Sequence, residues 1–125
     1  MNQGKDRDEI SIAQADGFVR ITLSGEFPRG GRRDLMLAIR EAADALGATH
    51  LLVDARRMPP PLSELDRHYA GVAVAEVLGG RFRVAVLFPG EQINKFAENT
   101  AVNRGAQMLV TADEAAAMAW LLRDD

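Results

Sequence analysis

Cysteine is absent from the 125-residue chain, and this alone removes disulfides, thiolate metal sites and cysteine nucleophiles. The absence fits a reducing cytoplasm. Histidine is nearly as scarce. His50 and His68 are the only two, and neither stands at a metal-ligand spacing such as His-x-x-x-His. Basic residues give no surplus, since 15 Lys and Arg face 18 Asp and Glu for a net charge of −3. The 13 arginines are mostly dispersed, whereas a nucleic-acid binder gathers a basic excess on one face. Nucleic acid is therefore not expected as a partner. Long apolar runs are missing too. The most apolar stretch, Ala70 to Leu78, contains Glu76 and falls far short of the roughly 20 residues that span a bilayer. The N-terminal MNQGKDRDE lacks the apolar core of a signal peptide.

What is present describes one globular domain. Apolar residues make up 47% and charged residues 26% of the chain, and a chain of this length can support a core without disulfide or metal. Residues 1–8 read as a disordered leader and 9–125 as the domain. Ile10 and Ile12 mark a short strand, Asp16-Gly17 a turn, and Phe18 to Leu23 a second strand with Val19, Ile21 and Leu23 on one face. Leu35, Ile39, Ala42, Ala43 and Leu46 form the apolar stripe of a helix over about 33–46, closed by Gly47. His50 to Val53 is the short apolar run of a strand buried on both faces. A helix follows from about Ser63 to Leu78, then a strand over 82–88. A third helix carries Ile93, Phe96, Ala97 and Thr100 and ends at Gly105. Met108-Leu109-Val110 is the last strand. Thr111 and Glu114 have the spacing of a capping box, and the final helix, about 112–122, presents Ala115, Met118, Ala119 and Leu122 inward. The order β-β-α-β-α-β-α-β-α predicts an α/β fold, with a mixed sheet opened by a hairpin and extended by right-handed crossovers.

Ligands and partners of α/β proteins gather where strands end and helices begin, which directs attention to HLLVDARRMPPPLSELD (50–66). Asp54, Arg56 and Arg57 follow the central strand there. They form either a structural ion pair or an edge that takes an acidic ligand or partner, because arginine forks suit carboxylates and phosphates. Ser63 opens the next helix as a cap worth about 1 kcal/mol, or as a switch whose phosphate the helix N-terminus and Arg56 or Arg57 would receive. The helix behind it is apolar nearly all round. Tyr69, Val72, Val74, Val77 and Leu78 are then sandwiched inside the domain, placed at a homodimer interface, or set as the wall of an apolar pocket. Pro28-Arg29-Gly30-Gly31-Arg32-Arg33 is a basic glycine loop without P-loop spacing. Trp120 packs the last helix on the sheet. No nucleophile, base and oxyanion donors converge, so no catalytic residue, metal or cofactor is assigned.

Leu23-Ser24-Gly25-Glu26-Phe27 before the first helix, with the element order, resembles the STAS fold of anti-sigma-factor antagonists, where a Gly-Glu-apolar motif holds that place. Phe96 to Gly105, Met108-Leu109-Val110 and Asp113 to Leu121 resemble its SpoIIAA-like branch. That branch comprises small, largely uncharacterised bacterial proteins grouped with CRAL-TRIO lipid-binding domains. The resemblance spans about residues 10–122. It implies a non-enzymatic regulatory module that binds a protein partner or a second copy of itself. The CRAL-TRIO kinship implies the alternative, a carrier of a small apolar or anionic, lipid-like ligand held near the second helix. In signalling STAS proteins a serine in an Asp-Ser-Ser-Gly-like motif is phosphorylated at the position of Ser63. Here Leu62 and Glu64 replace the flanking aspartate and second serine.

Overall fold

The computed structural model describes residues 9–24, 32–57, 64–90, 93 and 95–123. The expected leader over residues 1–8 lies outside them. Five strands form one sheet in the order β1-β2-β3-β4-β5: β1 (Glu9–Ala15), β2 (Phe18–Ser24), β3 (His50–Arg57), β4 (Arg83–Leu87) and β5 (Gln107–Thr111). β1 and β2 are antiparallel and the other pairs parallel. Among the described residues four helices complete the expected order: α1 (Arg32–Ala45), α2 (Glu64–Ala73), α3 (Phe96–Asn103) and α4 (Glu114–Leu121).

Alternation along the strands sorts the side chains into two layers. One face carries Val19, Ile21, Leu23, Leu51, Val53, Ala55, Val84, Met108 and Val110, all buried in the larger core beneath α1, α2 and α3. From α1 come Leu35, Ile39 and Ala43, while Leu46 is exposed after the helix has ended. Gly47 follows at φ +67°, a left-handed position that glycine takes without a Cβ clash. The other face carries Leu52, Ala85 and Leu87, covered by Ala117 and Leu121 of α4 alone.

α2 passes directly into a π-helical turn, Val74–Leu78, where Gly79 N–H donates to the Val74 carbonyl at 3.1 Å. Arg40 donates to the Val77 carbonyl at 3.4 Å. Arg33 and Glu76 pair at 2.6 Å, and Arg81 and Asp44 at 2.8 Å. α1 and the turn are thereby stitched together along one flank.

Several local expectations change. β3 runs four residues past Val53, so Asp54, Arg56 and Arg57 are strand residues and not loop residues. α4 begins at Glu114, capped by Asp113, whose carboxylate accepts from Ala115 and Ala116 N–H. Thr111 instead accepts from Asp113 N–H, and the expected capping box does not form. The phase of α4 also differs: Ala117 and Leu121 are buried, while Ala115, Ala119 and Leu122 are exposed. A helix of Ala, Met, Trp and Leu has no polar stripe to set its rotation, so packing under β4 decides it. Ile93 precedes α3 and packs on the core from outside the helix.

Candidate functional site

On the α4 side of the sheet, α4 lies against β3, β4 and β5; Phe18 at the start of β2 packs beside it, and among the described residues the rest of β1 and β2 is left open on that face. The bare part is polar: Ser11, Arg20, Thr22, Asp54, Arg56 and Arg57 line an open groove. Asp54 sits at the border, only 7% exposed. Its Oδ2 accepts from Arg20 Nη2 at 2.9 Å and from Arg56 Nη2 at 2.8 Å. Its Oδ1 accepts from Arg56 Nε at 2.9 Å and from the Arg56 backbone N–H at 3.1 Å. Glu114, from the first turn of α4, closes the ring by accepting from Arg20 at 3.0 Å and Arg56 at 3.3 Å.

The fork of Arg56 holds the Asp54 carboxyl well below its ordinary range, down to about 2, against the opposing effect of burial. Arg20 shifts upward, chiefly through its bond to Glu114. Two positive and two negative groups satisfy one another, so the cluster binds β2, β3 and α4 together. Arg57 lies outside this ring, exposed at the end of β3. The sequence groups Asp54 with Arg56 and Arg57 as an ion pair or a ligand edge but gives no sign that Arg20 and Glu114 join them. Arg20 was legible as an outward position of an alternating strand; its partners were not, because β2–β3 register and α4 docking join residues 34 and 94 positions away.

The residues of the second helix separate. Val74, Val77 and Leu78 are 4%, 5% and 3% exposed and belong to the core. Tyr69 is 54% exposed and Leu65, which sequence reasoning passed over, 60%. They stand one turn apart on α2. Val72 is half-buried, and the His68 ring lies 5.7 Å from that of Tyr69. Ser63, Gly25-Glu26-Phe27 and the loop 28–31 lie outside the described residues. Trp120 is half-buried beside the α4 core contacts, with Arg83 and Arg123 over its ring at 5.8 and 5.6 Å. Arg83, buried at the start of β4, donates to the Leu121 and Arg123 carbonyls and so caps the end of α4.

Between the sheet and the helices lies an apolar cavity of about 110 Å³. Its walls include Leu23, Val53 and Val84 of the sheet, Leu35 and Ile39 of α1, Ala70 of α2, and Val74 and Leu78 of the π turn. Arg67 is the one charged side chain among the described lining residues, its guanidinium 5.8 Å from the centre of the Phe88 ring. Among the described residues no group of three His, Asp or Glu side chains is placed to hold a metal ion. No helix among them is long and apolar enough to cross a membrane.

No protein-family model and no curated protein matches the chain. Solved structures do. An anti-sigma factor antagonist from Mycobacterium paratuberculosis superposes with a TM-score of 0.63 at 17% identity, over 94% of this chain and 97% of that one. A protein with a SpoIIAA-like fold from Shewanella loihica gives 0.58 at 22% identity, over 90% and 92%. A variant of RsbS from Moorella thermoacetica gives 0.54 at 11%, over 90% and 93%. One opening hairpin, three parallel crossovers on one face, a lone helix on the other and these end-to-end likenesses together show that the chain has the SpoIIAA-like STAS fold.

Proposed function

We propose that the protein is a non-enzymatic, cytoplasmic regulatory module that binds a protein partner through the exposed flank of α2. The observation that carries it is the pair Leu65 and Tyr69, large apolar groups left in solvent on a helix whose other flank is core. They adjoin the carboxyl edge of the sheet, where this architecture concentrates recognition. The likeness to an anti-sigma factor antagonist supports the same role. The charged groups on the opposite face neutralise one another, so they do not present the activated nucleophile or base that an enzyme needs. A photo-crosslinking residue placed at Tyr69 in the native host tests the proposal. One protein species should be captured there, and Leu65→Asp should abolish capture. Equal labelling from a control position such as Glu41 on α1 would refute it.

The cavity favours a second role, a carrier of a small apolar or anionic ligand. Val74 and Leu78 would then serve as pocket wall, and Arg67 would face the polar end of the guest. Native mass spectrometry of the protein purified from its own host should show a bound mass beyond the polypeptide. An unliganded chain, together with unchanged Met36 and Met108 methyl resonances on addition of hexanoate or hexanol, would exclude the carrier role.

A further inference from the structure

The two edges of the sheet are finished differently. At β5, the Val110 N–H and carbonyl both point outward, and both are taken: Glu98 Oε1 accepts from Val110 N–H at 2.7 Å, and Lys95 Nζ donates to the Val110 carbonyl at 2.6 Å. Lys95 and Glu98 also pair with each other at 2.9 Å. Lys95 adopts φ +67° to do this, a strained backbone for a lysine. At Val110 that edge is therefore closed to further strand pairing.

Among the described residues β1 has no such seal. It pairs with β2 along its whole length, from Glu9↔Ser24 to Ala15↔Phe18, without a register shift. Among the described residues nothing pairs with its outer side. Natural edge strands guard themselves with lysine, proline, a bulge or short length. β1 is seven residues long, reads EISIAQA and has none of these. Residues 10–14 are all exposed, Ile10 at 38% and Ile12 at 41%.

We infer that β1 pairs antiparallel with β1 of a second copy, in the register centred on Ser11, to form a continuous ten-stranded sheet. A two-fold axis perpendicular to the sheet keeps each side chain on its own face, so opposed residues must share parity. Among the permitted registers, the one centred on Ser11 sets Ile10 opposite Ile12 of the second copy twice over. It also sets Glu9 opposite Ala13, and Ser11 opposite Ser11. No like charges meet, and the two half-exposed isoleucines shield each other as cross-strand pairs. Centring on Ile12 gives only one Ile–Ile pair and sets both Ile10 side chains against Gln14. On the opposite face, the polar grooves lined by Ser11 and Arg20 join across the axis. The contact is a strand edge, small beside a standard interface, so the dimer is reversible and concentration-dependent. The surface is distinct from α2 and stands or falls apart from the partner proposed there.

The lack of cysteine makes the register directly testable. Opposed residues in an antiparallel pair lie about 4.5–5.5 Å apart between Cα atoms, within disulfide reach. Ser11→Cys should form a covalent dimer under mild oxidation. Ala13→Cys, on the same face and strand, should not, because the two introduced cysteines would lie about 14 Å apart along the strand. A mixture of Glu9→Cys and Ala13→Cys should cross-link where each alone does not. Sedimentation velocity of the unmodified protein should show a dimer that grows with concentration and disappears in Ile12→Lys, a change at an exposed site that leaves the fold intact. Cross-linking of Ala13→Cys as fast as Ser11→Cys would overturn the register. A monomer at every concentration up to the millimolar range would overturn the dimer.

Discussion

Replacing Asp54 by asparagine keeps the shape of the side chain and removes its charge. In the folded protein the carboxyl is held near 2 instead of the ordinary 3.8, a shift worth about 2 kcal/mol of stability. A folded-state pKa below the unfolded one means that the unfolded chain binds more protons between the two values. The contribution is therefore complete above about pH 4, is lost as pH falls from about 4 to about 2, and is gone below that. Asp54→Asn should accordingly lower stability by about 2 kcal/mol at pH 7, or roughly 7 °C in Tm for a chain of this size. The side chains of Arg20 and Arg56, 30% and 40% exposed, keep Glu114 and water, so no orphaned buried charge enlarges the effect. Urea unfolding of both proteins from pH 7 down to pH 2 is the assay, and the two stability curves should converge near pH 2. A destabilisation independent of pH would show that packing, not charge, accounts for Asp54. A carboxyl carbon resonance titrating near 4 would refute the pinned geometry itself.

Ala70→Leu adds about three methylene volumes to a wall of the 110 Å³ cavity and should be neutral or stabilising by up to about 1 kcal/mol in thermal melts. Ala43→Leu, at a fully buried site, should cost about 1–3 kcal/mol by overpacking. Glu98→Ala removes the acceptor of the Val110 N–H; amide exchange should accelerate selectively at Val110, with a loss of about 1–2 kcal/mol. Asp113→Ala should cost about 1 kcal/mol by uncapping α4, whereas Thr111→Ala should cost less, a comparison readable from denaturation midpoints.

Local patterns carried much of the architecture. Alternation in Phe18 to Leu23 and the apolar runs before Asp54 and in β4 need only a strand period and appear as expected; of the stripe Leu35, Ile39, Ala42, Ala43 and Leu46, the structure buries Leu35, Ile39 and Ala43, while Leu46 falls beyond the helix end and is exposed. Where the local pattern was silent, the expectation strayed. α4 is apolar on every side, so its rotation was set by the space under β4. Glu114 had the spacing of a capping residue but spends its carboxylate on Arg20 and Arg56 instead, which left the cap to Asp113. The extension of β3 through Arg57 depends on pairing with β2 and β4, including Asp54 opposite Thr22 and Leu87.

The candidate sites divide along the same line. That Asp54 lies beside arginines is legible in the sequence, but that Arg56, two residues on along the same strand, is its partner follows from β3 running on through Arg57. That Asp54 is the centre of a four-residue ring is not legible, because Arg20 and Glu114 reach it only through sheet register and helix docking. The apolar second helix announced itself in the sequence, but burial alone separates Tyr69 and Leu65 in solvent from Val74, Val77 and Leu78 in the core. Periodicity and composition by themselves determined the order of elements, the class of fold and the absence of thiol chemistry, since each depends on neighbours along the chain. Which strand edge is sealed, which arginines are neutralised and where the core stays hollow were decided only in the tertiary structure, where residues distant in sequence compete for the same hydrogen bonds and the same space.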